Sequence, residues 1–586
     1  SSGSVVIFSS GEDSSALLNN FTIQNGSATN GGGIYCSANS SPTLSDLIIL
    51  NNSAGSGGGM MLFNFSNPLI KNVIFKGNSV TSNGSALFCG ARSSPTIRNS
   101  IFEGNVADGA VIYSEDRSDP TFINVTITGN TVDNYNSTYT AAVYASGGSA
   151  EDSMKVRFLN SVIFNEGTAQ IKATGDYNRI DISYSNVLHG QDSVIVDSLV
   201  ATGIAQVNWG SGNIDVDPMF VDTANGNYHL LASSQLINAG HPDSTDSDGT
   251  IADIGAYPYL NSYSGPTWYI STSGNNTTAT GAADDPFKSI QAGINFSSSG
   301  DSVTVAAGTY VENIHFPGKN IDVIGADQET TIIDGDSSGS VVTFSSWQSS
   351  TTVFSGFTIQ NGNNNDGGGG IFVDGTSPTL NNLIIKNNSA ISNGAGIYIS
   401  NSSLLLKNSI IKDNSSVLAS GVHIENTSYA TIMNVEITGN NLAHGSTIWV
   451  SGSYPIFSNT TITNNESSIN NNEKGIELYN TANVTLINSI ITGQNNAPIY
   501  FNGSNLDYPS FITISYSLIE GGQDSIVTND NGTVTWGDGN IDVDPMFVDT
   551  ANGNYHLLAS SQLINAGHPD STDAEDRKST RLNSSH

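Results

Sequence analysis

Charge is scarce in this sequence. Asp, Glu, Lys and Arg make up 12% of 586 residues, and only 18 residues are Lys or Arg. Against 52 acidic residues this leaves a formal net charge of −34. An excess of that size repels phosphate backbones and anionic headgroups, which excludes nucleic acid and negatively charged membrane surfaces as partners. Long apolar runs are missing as well. None approaches the roughly 20 residues of a membrane-spanning helix, so no membrane insertion is expected within this chain. Cysteine is nearly absent, and Cys36 and Cys89 alone cannot make a disulfide framework. Gly, Ser, Asn and Thr fill the place of charge. Ile, Val, Leu, Phe and Tyr nevertheless recur throughout, so the composition is that of an all-β protein with many turns, not of a disordered chain. The length exceeds one ordinary core and calls for several domains or a repeat array.

A repeat is present. PTLSDLIILNN at Pro42 returns as PLIKNVIFKGN at Pro68, PTIRNSIFEGN at Pro95 and PTFINVTITGN at Pro120, at spacings of 26, 27 and 25 residues. A weaker copy follows at Val156. The second half repeats the series from Pro378, Leu404, Ala430, Pro455 and Val484. Between the copies lie glycine-rich stretches that return to a strand, such as GGGIYC and GAGIYIS. Short strands and turns at a fixed period, without helical periodicity, mean one coil of a parallel β-solenoid per repeat.

Equivalent residues of such a solenoid stack about 4.8 Å apart and form ladders. Asn72, Asn99, Asn124 and Asn160 fall in one column, headed by Asp46. Asn382, Asn408, Asn434, Asn459 and Asn488 form its counterpart in the second half. Asparagine tolerates the left-handed conformation and can bond to the turns above and below, so these are structural ladders and not catalytic groups. Asn52, Asn78, Asn105 and Asn130, six residues on, make a second ladder. Leu44, Ile70, Ile97 and Phe122 are expected to stack in the core, as are Ile49, Phe75, Phe102 and Ile127, while Ile48, Ile74 and Ile101 make an outer apolar stripe. Cys36, Leu62 and Cys89 share a column, which puts the two thiols about 9.6 Å apart, beyond disulfide reach.

The segment Asp284–Asp301 breaks the pattern. Asp285 can cap a helix with Pro286 as its first residue, and Phe287, Ile290 and Ile294 lie on one helical face. An amphipathic helix over 285–296 is therefore expected to cap the open first coil of a second solenoid. SSGSVV occurs at Ser1 and Ser337, so the first solenoid is read as having lost the counterpart of this cap. The expected organisation is a first solenoid over 1–256, a linker at 257–265 and a second solenoid over 266–575. Residues 212–246 and 539–573 are identical over 35 positions and belong to closing modules placed at 210–256 and 537–575. The tail DRKSTRLNSSH, residues 576–586, resembles translated sequencing-adapter read-through and is set aside. The chain starts without Met or a signal peptide and is read as a fragment whose secretion signal and anchor lie outside it.

These features resemble the right-handed parallel β-helix proteins of the pectin-lyase-like superfamily. TWYISTSGNN…DDPFKSIQAGI…VAAGTYVENIHF is similar to the amino-terminal region of secreted bacterial β-helix proteins and pectin methylesterases. GNIDVDPMFVDTANGNYHLLASSQLINAG resembles the closing module of bacterial surface β-helix proteins with varied carboxy-terminal anchors. GGGI with FKGN and FEGN is similar to the repeats of chlamydial polymorphic membrane proteins. The resemblance covers nearly all of residues 1–575 and implies an extracellular or bacterial cell-surface location. It also implies that any enzyme activity falls on acidic polysaccharide, but a fold shared so widely does not fix function.

A lyase of this superfamily is expected to set an Arg or Lys base beside calcium-binding carboxylates. Lys71 and Arg98 stack in adjacent coils without an acidic cluster, and Lys76 with Glu103 reads as a surface ion pair. Lys386 and Lys412, with Lys407 nearby, form the one basic group suited to an anionic glycan. His189 stands alone, Asp215 and Asp217 (copied at Asp542 and Asp544) read as turn residues, and His241 and His568 as solvated. Asp243, Asp246, Asp248 and Asp253 around Gly249 offer oxygen ligands for Ca²⁺, though not at EF-hand spacing. No catalytic set is assembled. The reading is a monomeric, secreted or cell-surface protein, structural, adhesive or glycan-binding; the alternative is a polysaccharide lyase or glycoside hydrolase.

Overall fold

Asparagine bends each rung. In the first half Asp46, Asn72, Asn99, Asn124 and Asn160 adopt φ between 48° and 55°. Asn382, Asn408, Asn434, Asn459 and Asn488 do the same in the second, with φ between 50° and 55°. One left-handed residue between two extended stretches turns the chain a corner, and asparagine takes that conformation at least cost after glycine. The column is linked along the axis: the Asn459 amide donates to Asn434 Oδ1 at 3.1 Å, and Asn434 to Asn408 Oδ1 at 3.1 Å.

The computed structural model describes residues 3–132, 140–147, 154–175, 178–197, 205–346, 348–442, 445–467, 474–494, 496–504 and 506–571. The expectations for 576–586, and for the last residues of the second closing module, lie outside them. The chain forms two compact units, Ser1–Ser262 and Tyr263–His586. Among the described residues the first unit builds sheets of 8, 13 and 5 strands, and the second sheets of 16, 8 and 5 strands. Strands one repeat apart pair in parallel, in the register that the repeat implies: Leu44 beside Ile70, Ile70 beside Ile97, Ile97 beside Phe122. This is a parallel solenoid, all-β as expected.

The interior holds the two side-chain stacks the repeat requires. Leu44, Ile70, Ile97 and Phe122 are fully buried, and so are Ile49, Phe75, Phe102 and Ile127. Phe75 and Phe102 stack with centroids 4.6 Å apart and planes 4° from parallel. Cys36 and Cys89, each paired in register with Leu62, are free and buried, and burial pushes the Cys36 thiol up to about 12.

The second asparagine column lies inside and is the more continuous of the two. Asn52 Nδ2 donates to Asn78 Oδ1, Asn78 to Asn105 and Asn105 to Asn130, at 2.9–3.0 Å. The same oxygens accept the backbone N–H of the preceding asparagine. Each Nδ2 also donates to a core carbonyl one rung back, as Asn105 does to Phe75. Asn388, Asn414, Asn440 and Asn465 repeat the arrangement in the second unit. Every buried polar atom of the amide is thereby used, which makes burial affordable.

The cap helix differs from its expected bounds. α1 spans Ile290–Phe296, and its N-cap is Ser289, whose hydroxyl accepts from Ala292 N–H. Asp285 is unavailable as a cap because its carboxylate takes the backbone and hydroxyl of Thr280, and the Phe287 backbone bonds to Tyr269 and Ser271. Phe287, Ile290 and Ile294 are nevertheless all buried, as one apolar face demands. Two half-buried ionisable side chains hold the helix ends. The Glu312 carboxyl group accepts from Ile290 N–H and Gln291 N–H, and Lys319 Nζ donates to the Ile294 and Asn295 carbonyls. When ionised, each has the sign that complements its end of the helix dipole.

The duplicated text follows the last coil of each solenoid, where Ile214 pairs with Asn186 and Ile541 with Leu518, and folds back as a clamp on its flank. Phe220–Asp222 and Asn227–Leu230 form an antiparallel hairpin, copied at Phe547–Asp549 and Asn554–Leu557. In the first unit Tyr228 and Ala256 pack on Ile101, and Ala256 N–H donates to Thr126 Oγ1 at 3.0 Å. The outer stripe is therefore covered at Ile101, 2% exposed, and open at Ile48, 40% exposed. His241 is half-buried against the solenoid. Its N–H donates to Asn160 Oδ1 at 2.8 Å, and its ring meets Tyr184 edge-on at 4.8 Å. His568 repeats this with Asn488 and Tyr516. Gly212 and Gly539 are required here: at φ 73° and 74°, a Cβ on either would strike the Tyr184 or Tyr516 ring.

Two expected outcomes follow from this packing. Asn105→Ala strands donors and acceptors on both neighbouring rungs and should destabilise the first unit by about 2–3 kcal/mol. Asn99→Ala, at the exposed bend, should cost about 1 kcal/mol. Urea unfolding and exchange of the Asn78 amide compare the two, and equal losses would contradict the interior ladder's role. The second concerns Glu312, whose carboxyl burial pushes up to about 7 from 4.5 despite its two N–H partners. The folded state keeps a proton that the unfolded chain has released, so this contribution is full below pH 4.5 and is lost as pH rises through 7. Glu312→Gln should flatten the fall in melting temperature of the second unit across that window; an unchanged slope would assign it to other groups.

Candidate functional site

In the second unit the glycine-led strands read GIFVD, GIYIS, GVHIE, TIWVS, GIELY and PIYF. They lie in Ile371–Asp374, Ile397–Ser400, Ala419–Glu425, Ser446–Ser451, Lys474–Tyr479 and Ala497–Phe501. Successive residues of a strand point to opposite faces. The apolar partners Ile371, Ile397, Val422 and Ile448 point inward and are fully buried. The residues after them form an outward column in register: Phe372, Tyr398, His423, Trp449, Glu477, Tyr500. Two positions on, a second outward column carries Asp374, Ser400 and Glu425, followed by Ser451 and Tyr479. Over the first four rungs a strip of rings thus runs beside a strip of hydroxyls and carboxylates; on the fifth the two exchange, with Glu477 in the ring column and Tyr479 in the polar one.

The rings lie against one another. Phe372 and Tyr398 stack at 5.2 Å, Tyr398 and His423 at 5.4 Å, His423 and Trp449 at 6.2 Å, and Trp449 meets Tyr479 at 5.8 Å. Phe372, Tyr398 and Trp449 are half-buried and reach the surface, while His423 between them is buried. Glu425 ties the two columns together. It accepts from Tyr398 O–H at 2.5 Å and from Asn426 Nδ2 at 3.1 Å, and lies 3.0 Å from His423 Nε2. The His423 hydrogen bond, opposed by burial and aided by Tyr398, holds the Glu425 carboxyl below its usual range. Burial, and then Glu425 itself, pushes the Tyr398 phenol up. At the far end Lys474 Nζ lies 3.0 Å from Glu477 and 3.8 Å above the Tyr500 ring, and Asn502 donates to Glu477 at 2.8 Å.

The first unit has the same column with a different finish. Tyr35, Met61, Phe88, Tyr113, Tyr144 and Lys172 are in register, and Tyr113 stacks on Phe88 and Tyr144 at 5.2 and 5.5 Å. Met61, Phe88, Tyr113 and Tyr144 are buried, however, so this strip is closed where that of the second unit is open.

The residues singled out from sequence fall elsewhere. Lys386 and Lys412 are adjacent in register on the long strands, but Lys407 precedes the bend at Asn408 and pairs with Asn381 and Met433. The three therefore do not form one patch. Glu436 lies near Lys412, and its carboxyl is pushed up to about 7 by burial, against the attraction of that lysine. In the aspartate loop, Asp253 is buried and accepts from Asn238 and Tyr259 N–H, Asp246 accepts from Asp253 N–H, and Asp248 accepts from Thr250 and Asn261 N–H. Asp243 N–H donates to His241 Nδ1. These carboxylates organise a turn, and among the described residues no group of three or more His, Cys, Asp or Glu converges to hold a metal. Asp217 and Asp544 accept from Met219 and Met546 N–H, as turn residues do. Lys76 pairs with Glu103 at 2.9 Å, beside Tyr228 of the clamp. The ring column was missed, yet its signal is present in sequence: the middle residue of the glycine-led strand is aromatic or His in four successive repeats.

No curated protein matches the chain significantly. Among solved structures, a pectate lyase, Pel9A, is 16% identical with a TM-score of 0.37 and covers 54% of this chain and 95% of its own. A pectin methylesterase from carrot is 12% identical with a TM-score of 0.36, covering 47% and 91%. The alginate lyase AlyGC is 10% identical with a TM-score of 0.26, covering 92% and 96%. Likenesses this distant do not bear on activity. The family model for a right-handed β-helix region matches residues 2–132, 341–511 and 404–543, more than half of the sequence. With its in-register parallel rungs and buried ladders, the chain belongs to the right-handed β-helix family.

Proposed function

We propose that this chain is a non-catalytic carbohydrate-binding β-helix protein that works outside the cell, and that the open ring-and-polar face of the second unit is its binding surface. The observation that carries this reading is the pairing of two outward columns, one with the half-buried rings of Phe372, Tyr398 and Trp449 and one with the half-buried polar groups of Asp374, Glu425 and Ser451. Sugars present apolar C–H faces and polar hydroxyl edges in alternation, and such a surface meets both. The rungs fix the spacing, so the surface is preorganised and loses little entropy on binding. Low charge density with a strong acidic excess suits a soluble extracellular protein. Calcium at the Asp243–Asp253 loop stays a separate proposal, and it requires the ion to compete with the backbone N–H groups already bound there.

A glycan array probed with the full chain tests the reading. Trp449→Ala should weaken retention about tenfold, the scale of a central aromatic contact, without lowering the melting temperature appreciably. The Lys386→Ala, Lys412→Ala double variant should bind as the parent does. Release of unsaturated products or reducing ends from any bound glycan would contradict the non-catalytic reading.

A further inference from the structure

The carbohydrate reading leaves open which class of glycan fits, and the side chains on the open face narrow it. The ring column runs along the solenoid axis over four rungs, from Phe372 to Trp449, a span of about 14 Å at the usual rung spacing, before Glu477 takes its place on the fifth. Nothing in the register offsets one ring from the next across the strands, so the apolar strip is a line along the axis. The charges beside it are Asp374, Glu425 and Glu477 against His423 and Lys474. Both basic side chains already have carboxylate partners: the buried His423 lies 3.0 Å from Glu425, and Lys474 3.0 Å from Glu477. Asp374 accepts from the Asn401 amide and, among the described residues, has no cationic partner within salt-bridge distance. A carboxylated sugar laid on this strip would meet a net negative surface with no free cation among the described residues to pair with, an unfavourable arrangement at short range. Hydroxyl groups, by contrast, find carboxylate acceptors in Asp374 and Glu425, both half-buried, and the rings take the apolar faces of the chain.

We infer that the open face takes a linear, uncharged polysaccharide lying along the solenoid axis, in contact with several successive sugars. This rests on the carbohydrate-binding reading above and adds to it the charge and direction of the ligand. Charge complementarity separates this face from the Lys386 and Lys412 pair on the long-strand sheet, the region an acidic glycan would favour.

Calorimetric titration of the full chain with β-1,4-linked glucose and mannose oligomers of increasing length tests this, with oligogalacturonate and glucosamine oligomers as charged controls. For at least one uncharged series the affinity should rise with each added sugar and then level off, and Trp449→Ala should lose about tenfold. Oligogalacturonate should not bind at the face, and Asp374→Asn should leave uncharged-chain affinity within about twofold, because the amide still accepts a hydrogen bond. A milder variant, Trp449→Phe, keeps the stack and should retain most of the affinity, which guards against a folding artefact. Trp449-dependent binding that prefers oligogalacturonate or glucosamine oligomers would overturn the uncharged class while leaving carbohydrate binding intact. Affinity independent of chain length would overturn the axial placement. If no oligomer binds in a Trp449-dependent way, the carbohydrate-binding reading itself fails.

Discussion

The rest of the structure depends on register between rungs, and the buried amide ladder fixes it. A parallel sheet slipped by one residue turns every side chain to the other face. In this chain a slip would also take each interior asparagine out of line with the next and leave its amide unpaired in an apolar interior. The ladder therefore penalises every register but one. Core stacks such as Phe75 on Phe102 follow from that register, and so do the outward columns. A ring on one rung stands beside a ring on the next only because the asparagines hold both rungs in phase.

Much of this was legible in the sequence because a solenoid writes its geometry as a period. The core columns, both asparagine ladders and the unbridged thiols all follow from aligning residues at a spacing near 26. What the period does not encode was misplaced. Ser289 caps the helix instead of Asp285 because Thr280 already occupies that aspartate, a contact local sequence pattern does not reveal. That the duplicated segment also docks on the flank was not foreseen, since Tyr228 and Ile101 are far apart in sequence. Lys407 was grouped with Lys386 and Lys412 although the bend at Asn408 divides them. The ring column was overlooked for a different reason: attention to charged residues passed over aromatic ones that recur at the same period.

The clamp gives meaning to the repeated text. In each unit the last asparagine of the bend column turns its side-chain oxygen to a backbone N–H of the clamp, and a tyrosine one rung on receives the clamp histidine. The 35 identical residues therefore match a docking surface that both solenoids repeat. What differs between the units is the outward ring strip, closed in the first and open in the second. Divergence there against identity in the clamp is the pattern expected when architecture is copied and binding is not.

The most direct test of this account is the indole N–H spectrum of the chain, labelled at tryptophan, during titration with an uncharged β-1,4-linked oligomer. The account predicts that Trp449 shifts while Trp209, Trp268 and Trp536 stay in place. Saturable binding that leaves Trp449 unmoved would contradict it and put the recognition surface on another face of the solenoid.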